Sequence, residues 1–386
     1  MWARFFLVLV CVVSITNGAS AQIQPDKRDV GDAVDVHAAQ AQAYERAGDW
    51  PAAEREWLAV VRAAPGDARA WVNLGVALNR QNKTAQALSA WQRAAQLDPN
   101  LAGAHFNTGL TLVRAGSFRA ALAPLSRALA LEPANEGARR ALALALIGVE
   151  RFAEASRELA KLLARAPRDA GLLELAAQSF LHQGRHAEAA VVLRRRLDLP
   201  EATATLWAEY GDALDGTQRT TEAAQAYEQA LKLAPDSTLY GYGLGYLYWK
   251  LYRYEEAERV LTAVLRREPA NARAAFTLGD LYLTKGAAAR AVPLLELAAR
   301  SYPAEFDTRF ALGRALLQTG APERAIAELR AAVKLDETIA DGHFQLGRAL
   351  TQTGARAEGK LELDRAKQLN DAKRTAELEQ RKRKLP

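Results

Sequence analysis

Apolar residues recur along this chain at helical spacing, in short blocks separated by polar breaks. Trp71, Leu74, Gly75 and Leu78 fall at i, i+3, i+4 and i+7 and share one helix face. After a polar stretch at Asn79–Thr84, Ala87, Trp91 and Ala94 form a second face, and Pro99 closes it. The predicted element is a helix hairpin, and it returns every 34 residues. Units begin at Val34, Ala68, Ala102, Glu136, Ala170, Ala204, Thr238, Ala272, Phe306 and Ala340, with no insertion or deletion through Lys373. A period this strict marks a repeat array, which grows by stacking, so chain length does not set a domain count.

Within each unit the pattern alternates small and large. The eighth position is Gly or Ala throughout, as at Ala41, Gly75, Gly109, Gly245 and Gly347. The twentieth is Ala in nine units, and Gly359 in the tenth. The twenty-fourth is large, as at Trp57, Trp91, Leu125, Tyr227 and Leu261. Large against small lets two facing helices approach and interdigitate. Prolines such as Pro65, Pro99, Pro133, Pro235 and Pro269 end the second helices. Heavy use of Ala and Leu agrees with an all-α chain.

These residues resemble the tetratricopeptide repeat (TPR) family, with its pattern W-x2-L-G-x2-Y, then A-x3-F-x2-A, then P. In the unit from Thr238 the matching residues are Leu244, Gly245, Tyr248, Ala257, Leu261, Val264 and Pro269. The resemblance covers residues 34–373 and implies a right-handed superhelical solenoid of ten TPR helix hairpins, with first helices lining a concave groove. The repeats are 34–67, 68–101, 102–135, 136–169, 170–203, 204–237, 238–271, 272–305, 306–339 and 340–373. A lead segment, 22–33, is expected before them and a basic capping tail, 374–386, after them.

Two units depart from the pattern. Arg196 occupies the twenty-seventh position of the fifth unit, where others carry small or apolar residues, and Pro200 comes one residue early. A bend or a locally weak joint is expected over Arg194–Thr205. In the ninth unit Glu337 replaces the proline, so its second helix is expected to run on or end raggedly.

The ends add a location and remove some chemistry. Arg4, the apolar run Phe5–Ile15 and the small residues Ala19-Ser20-Ala21 match a secretory signal peptide cleaved after Ala21. Eleven apolar residues fall well short of the ~20 that a membrane span needs. The expected product is exported, periplasmic or secreted, with no transmembrane span. Cys11, the one cysteine, lies inside that leader, which leaves the mature chain without disulfide, thiolate metal site or cysteine nucleophile. The formal charge is +6. Much of it sits in the tail, where Arg374, Arg381, Lys382, Arg383 and Lys384 outnumber Glu377 and Glu379, and this argues against nucleic acid as a partner.

No nucleophile elbow, phosphate-binding glycine loop or HExxH motif is present, so no enzyme and no cofactor are expected. His182 and His186 are four apart but flank Gly184 at a turn, and read as two solvated residues with no third metal ligand nearby. The distinctive stretch is Leu239–Tyr254, which holds six of the eleven tyrosines. Tyr242, Tyr246 and Trp249 fall at i, i+4 and i+7, away from the packing residues Leu244, Gly245 and Tyr248. Phe276, Phe310 and Phe344 align with Tyr242, while Asp280, Arg314 and Arg348 align with Tyr246. By the geometry of the family this row faces the groove, where exposed rings anchor a partner at low entropic cost. The competing reading is that the rings merely pack one repeat on the next. Weaker groove candidates are Asn73 and Asn107, which share one position in consecutive units, with Arg80 and Arg114 beside them. The expected function is a non-enzymatic protein–protein interaction scaffold of the periplasm or cell envelope, with protein or peptide ligands. A glycan-binding or polysaccharide-export and pilus-assembly accessory role is one alternative, and a holdase for secreted chains another.

Overall fold

The computed structural model describes residues 27–384, with side chains over 32–380. The expected leader, the first residues of the lead segment and the side chains of Arg381–Lys384 lie outside these limits. Among the described residues there are twenty α-helices and no strand, in two compact units divided between Val149 and Glu150.

The first unit contains α1 (Lys27–Ala47), α2 (Trp50–Ala63), α3 (Ala68–Arg80), α4 (Thr84–Leu97), α5 (Ala102–Arg114), α6 (Phe118–Leu131) and α7 (Glu136–Gly148). The second begins with α8 (Phe152–Leu163), α9 (Ala170–His182), α10 (His186–Leu197), α11 (Ala204–Gly216) and α12 (Thr220–Leu233). It continues with α13 (Thr238–Lys250), α14 (Tyr254–Arg267), α15 (Ala272–Thr284) and α16 (Ala288–Ser301). It closes with α17 (Phe306–Gln318), α18 (Pro322–Leu335), α19 (Ala340–Gln352) and α20 (Arg356–Lys384). From α3 onward, every odd-numbered helix starts on the first residue of a 34-residue unit.

Helix boundaries follow from backbone chemistry at two fixed positions. In many units the last residue caps the next first helix: the side chains of Asp67, Asn135, Asp169, Ser237 and Asn271 each accept a hydrogen bond from an N–H in the first turn that follows. The fifteenth residue of every unit is left-handed, with φ between 58° and 90°. Six of these are glycines, but Asn82, Glu150, Gln218 and Tyr252 hold the same conformation with a side chain.

The eighth and twenty-fourth positions meet as expected. A Cβ added at Gly245 would lie 2.7 Å from Leu261, and one at Gly211 2.6 Å from Tyr227. Gly75 faces the Trp91 ring in the same way. Side chains filling these gaps are fully removed from water: Trp91 in the first unit, Leu261, Leu295 and Leu329 in the second. Units are also stitched by hydrogen bonds to the carbonyl at position 32. In the first unit Trp71 donates to Pro65 O at 3.1 Å, and in the second Arg309 donates to Pro303 O at 3.0 Å.

Four expectations change. Helix α1 begins at Lys27, so most of the lead segment is the start of the first helix. Helix α18 stops at Leu335, in register with its proline-terminated counterparts, although Glu337 stands where the proline would. A short turn replaces the proline there, since Asp336 accepts hydrogen bonds from the N–H and hydroxyl of Thr338. Arg196 is buried, and its joint is held by charge: it donates to Glu174 at 2.5 Å and to Pro200 O at 3.0 Å. The early proline is absorbed at Glu201, among the described residues the one left-handed residue outside position 15. Helix α20 does run past the last hairpin, and its side chains 374–380 are all exposed.

Candidate partner-binding face

In the second unit, successive first helices touch: α13 meets α15, α15 meets α17, and α17 meets α19. The face they share carries the predicted aromatic row. On α13, Tyr242 and Tyr246 lie 6.3 Å apart, and Tyr246 stacks on Trp249 at 5.7 Å. All three are half-buried: Tyr242 and Trp249 pack against the core, and Tyr246 lies between them. Neighbours brace the stack from both sides. Trp249 Nε1 donates to Asp280 on α15 at 3.1 Å. Lys250 lies 5.6 Å from the Tyr246 ring and pairs with Asp215 on α11 at 2.6 Å.

The row continues as the alignment implied. Phe276 and Phe310 are half-buried against the core, and Phe344 is exposed. Arg314 sits over Phe310 at 5.6 Å and Arg348 over Phe344 at 5.9 Å, the geometry of cation–π contacts. The two readings of these rings are therefore not exclusive: Tyr242, Trp249, Phe276 and Phe310 pack against the core yet are only half-buried, while Phe344 is exposed. Burial pushes the Asp280 carboxyl above the usual aspartate range, against the pull of the Trp249 hydrogen bond and of Arg314. Burial likewise raises the Tyr242 hydroxyl.

Tyr242 also opens onto a cleft of about 590 Å³ between the starts of α13 and α15, lined by Leu239, Glu268, Asn271, Arg273 and Tyr302. A smaller pocket of about 200 Å³ adjoins it through Tyr242, Arg273 and Tyr302, adding Phe276, Glu305 and Thr308. Arg273 and Tyr302 were not anticipated. Arg273 occupies the second position of its unit, a helix-start site of mixed composition, and Tyr302 follows a helix end, so neither stands out in a periodic pattern. Phe306, which stacks on Phe310 at 5.3 Å, was missed for the same reason.

The weaker candidates lie in the first unit and come together less. Asn73 on α3 and Asn107 on α5 are half-buried, on first helices that touch, and neither side chain makes a hydrogen bond among the described residues. Arg80 lies over the Trp50 ring at 5.3 Å, and Arg114 is exposed.

The two histidines are not simply solvated. His182 stacks on Phe152 at 4.3 Å, and His186 packs against Gly216 with its Nδ1 buried and unpartnered. Among the described residues no three metal-ligating side chains converge, and no helix is long and apolar enough to cross a membrane.

Family profiles described as tetratricopeptide repeat match residues 38–102, 112–179, 204–237, 242–306 and 310–370. No curated protein matches the chain. Among solved structures, MamA MSR-1 is 25% identical over 44% of this chain and 98% of its own, with a TM-score of 0.41. MamA from Desulfovibrio magneticus RS-1 is 20% identical over 45% and 98%, with a TM-score of 0.42. YrrB, described as a TPR protein with an unusual peptide-binding site, is 22% identical over 47% and 93%, with a TM-score of 0.43. With its unbroken 34-residue register, its glycine-to-leucine helix contacts and profile matches along most of its length, the chain belongs to the tetratricopeptide repeat family.

Proposed function

We propose that the chain is a non-catalytic scaffold whose second unit holds extended polypeptide segments along its first-helix face. The observation that carries this reading is the stack of Tyr242, Tyr246 and Trp249: three large rings, half-buried and braced by Asp280 and Lys250. Rigid rings of this kind offer apolar area without an ordering cost, which is what a peptide anchor needs. Phe276, Phe310 and Phe344 extend the same strip with Arg314 and Arg348, and Asn73, Asn107, Arg80 and Arg114 form a lesser surface in the first unit. The leader-like pattern at Arg4–Ala21 supports an exported protein of the periplasm or cell envelope.

A glycan is the second reading. It is favoured by the cleft in which the Tyr242 and Tyr302 rings lie beside the polar groups of Arg273, Asn271 and Glu268. The test is capture from envelope extract with residues 22–386, beside the variant Tyr242→Ala/Trp249→Ala, with circular dichroism to establish that both fold. A discrete protein set held by the parent and lost from the variant supports the peptide reading. Retention of the same set by the variant overturns the site. Binding only to immobilised glycans, sensitive to the same substitutions, transfers the face to the second reading.

A further inference from the structure

The ninth position of each unit forms a row across the second unit's first helices. It reads Asp212, Tyr246, Asp280, Arg314 and Arg348 on α11, α13, α15, α17 and α19. The row thus starts acidic at Asp212, passes through Tyr246 and the half-buried Asp280, which accepts the Trp249 hydrogen bond, and ends basic at Arg314 and Arg348. Contacts link the helices that carry the row: Lys250 of α13 pairs with Asp215 of α11, Trp249 of α13 donates to Asp280 of α15, and Asp280 feels the charge of Arg314 on α17.

The charges at the two ends are unspent. In the second unit several arginines pair with a carboxylate, as Arg219 does with Glu222, Arg290 with Glu258 and Arg324 with Glu296. Arg314 and Arg348 make no such pair among the described residues and lie over phenyl rings instead. At the other end, Asp212 accepts only the Tyr227 hydroxyl, at 2.6 Å. Glu209, one turn before it on α11, has no lysine or arginine partner among the described residues. Burial raises the Glu209 carboxyl, and the like charges of Glu174, which is itself paired with Arg196, and of Asp212 raise it further; Asp212 likewise has no lysine or arginine partner among the described residues. Like charge held in one place is destabilising unless a ligand of opposite sign arrives.

We infer that the face selects a charge-ordered polypeptide segment, with lysine or arginine lying over α11, apolar residues on the α13 stack, and aspartate or glutamate over α17 and α19. This rests on the peptide reading above and adds a polarity to it. Helices packed roughly 8–10 Å apart put about 35 Å between the ends of the row. At about 3.3 Å per residue, an extended segment of roughly ten to twelve residues spans it.

The test uses residues 22–386 and three capped dodecapeptides with one core: KKAYFAYFAAQQ, QQAYFAYFAAEE and the neutral-ended QQAYFAYFAAQQ. Binding is measured by fluorescence anisotropy at low salt against the parent, Glu209→Gln/Asp212→Asn, and Arg314→Gln/Arg348→Gln. The parent is expected to bind either charged peptide about five- to tenfold more tightly than the neutral one, an advantage that shrinks at high salt. Neutralising the acidic end abolishes the advantage of the lysine peptide and leaves that of the glutamate peptide. Neutralising the arginines does the reverse. Asp212→Asn alone stands in if the double variant does not fold, because asparagine still accepts the Tyr227 hydrogen bond. If all three peptides bind the parent equally, or either variant weakens both charged peptides alike, the polarity is wrong while the groove stands. If none of the three binds, both readings fall.

Discussion

Tyr252 holds a left-handed backbone at φ 58° with its side chain 78% exposed, so it carries steric cost in a turn where other units use glycine. Tyr252→Gly is expected to raise stability by about 0.5–1 kcal/mol, the net of relieved strain and added chain entropy. Gly286→Ala at the same position of the next unit should lose about that much. Urea midpoints of the two variants check both signs. Glu209 makes a prediction in pH. Burial and the neighbouring charges of Glu174 and Asp212 raise its carboxyl in the folded state, so its contribution is favourable below the usual glutamate range and is lost as pH rises through the raised value. Glu209→Gln should accordingly raise the midpoint at pH 7, and the gain should vanish near pH 4. The glycine period was readable in the sequence. The demand at position 15 was not, because Asn82, Glu150, Gln218 and Tyr252 satisfy it without glycine and hide the pattern.

At the level of helices, packing was written plainly and joints were not. Gly245 and Leu261, sixteen residues apart, announced their contact through size alone, and the pair can be tested as a pair. Gly245→Ala drives a Cβ to within 2.7 Å of Leu261 and should cost about 1–3 kcal/mol. Leu261→Ala alone should cost about 2–5 kcal/mol through the cavity it leaves. Combined, they should cost clearly less than their sum, because each relieves the other's defect. A sum that is fully additive in chemical denaturation would contradict the contact. The joint at Arg196 shows why exceptions were misjudged. A charged residue at an apolar position reads as a weakness, yet Glu174 and the Pro200 carbonyl arrive from elsewhere in the chain to satisfy it. Likewise α18 stops without its proline because Asp336 and Thr338 build the turn locally. The aromatic row was visible because it recurs with the period. Arg273 and Tyr302, which complete the cleft beside it, were not, because a cleft depends on which non-repeating residues three units bring together.

Across the whole chain, the charge excess and the fold have little to do with each other. The side chains described beyond Lys373 are all exposed, so removing residues 374–386 should leave the stability within about 0.5 kcal/mol of the parent, the ordinary range for exposed positions. A large loss, read by thermal or urea melting, would mean that the tail covers the last hairpin after all. If the tail is dispensable for stability, its helix still has a mechanical meaning. At 1.5 Å per residue, the stretch of α20 from Arg374 to Lys384 is a rod about 15 Å long that extends beyond the last hairpin. A cargo, surface or fusion joined at that end would be held at arm's length, with the first-helix faces left clear for traffic.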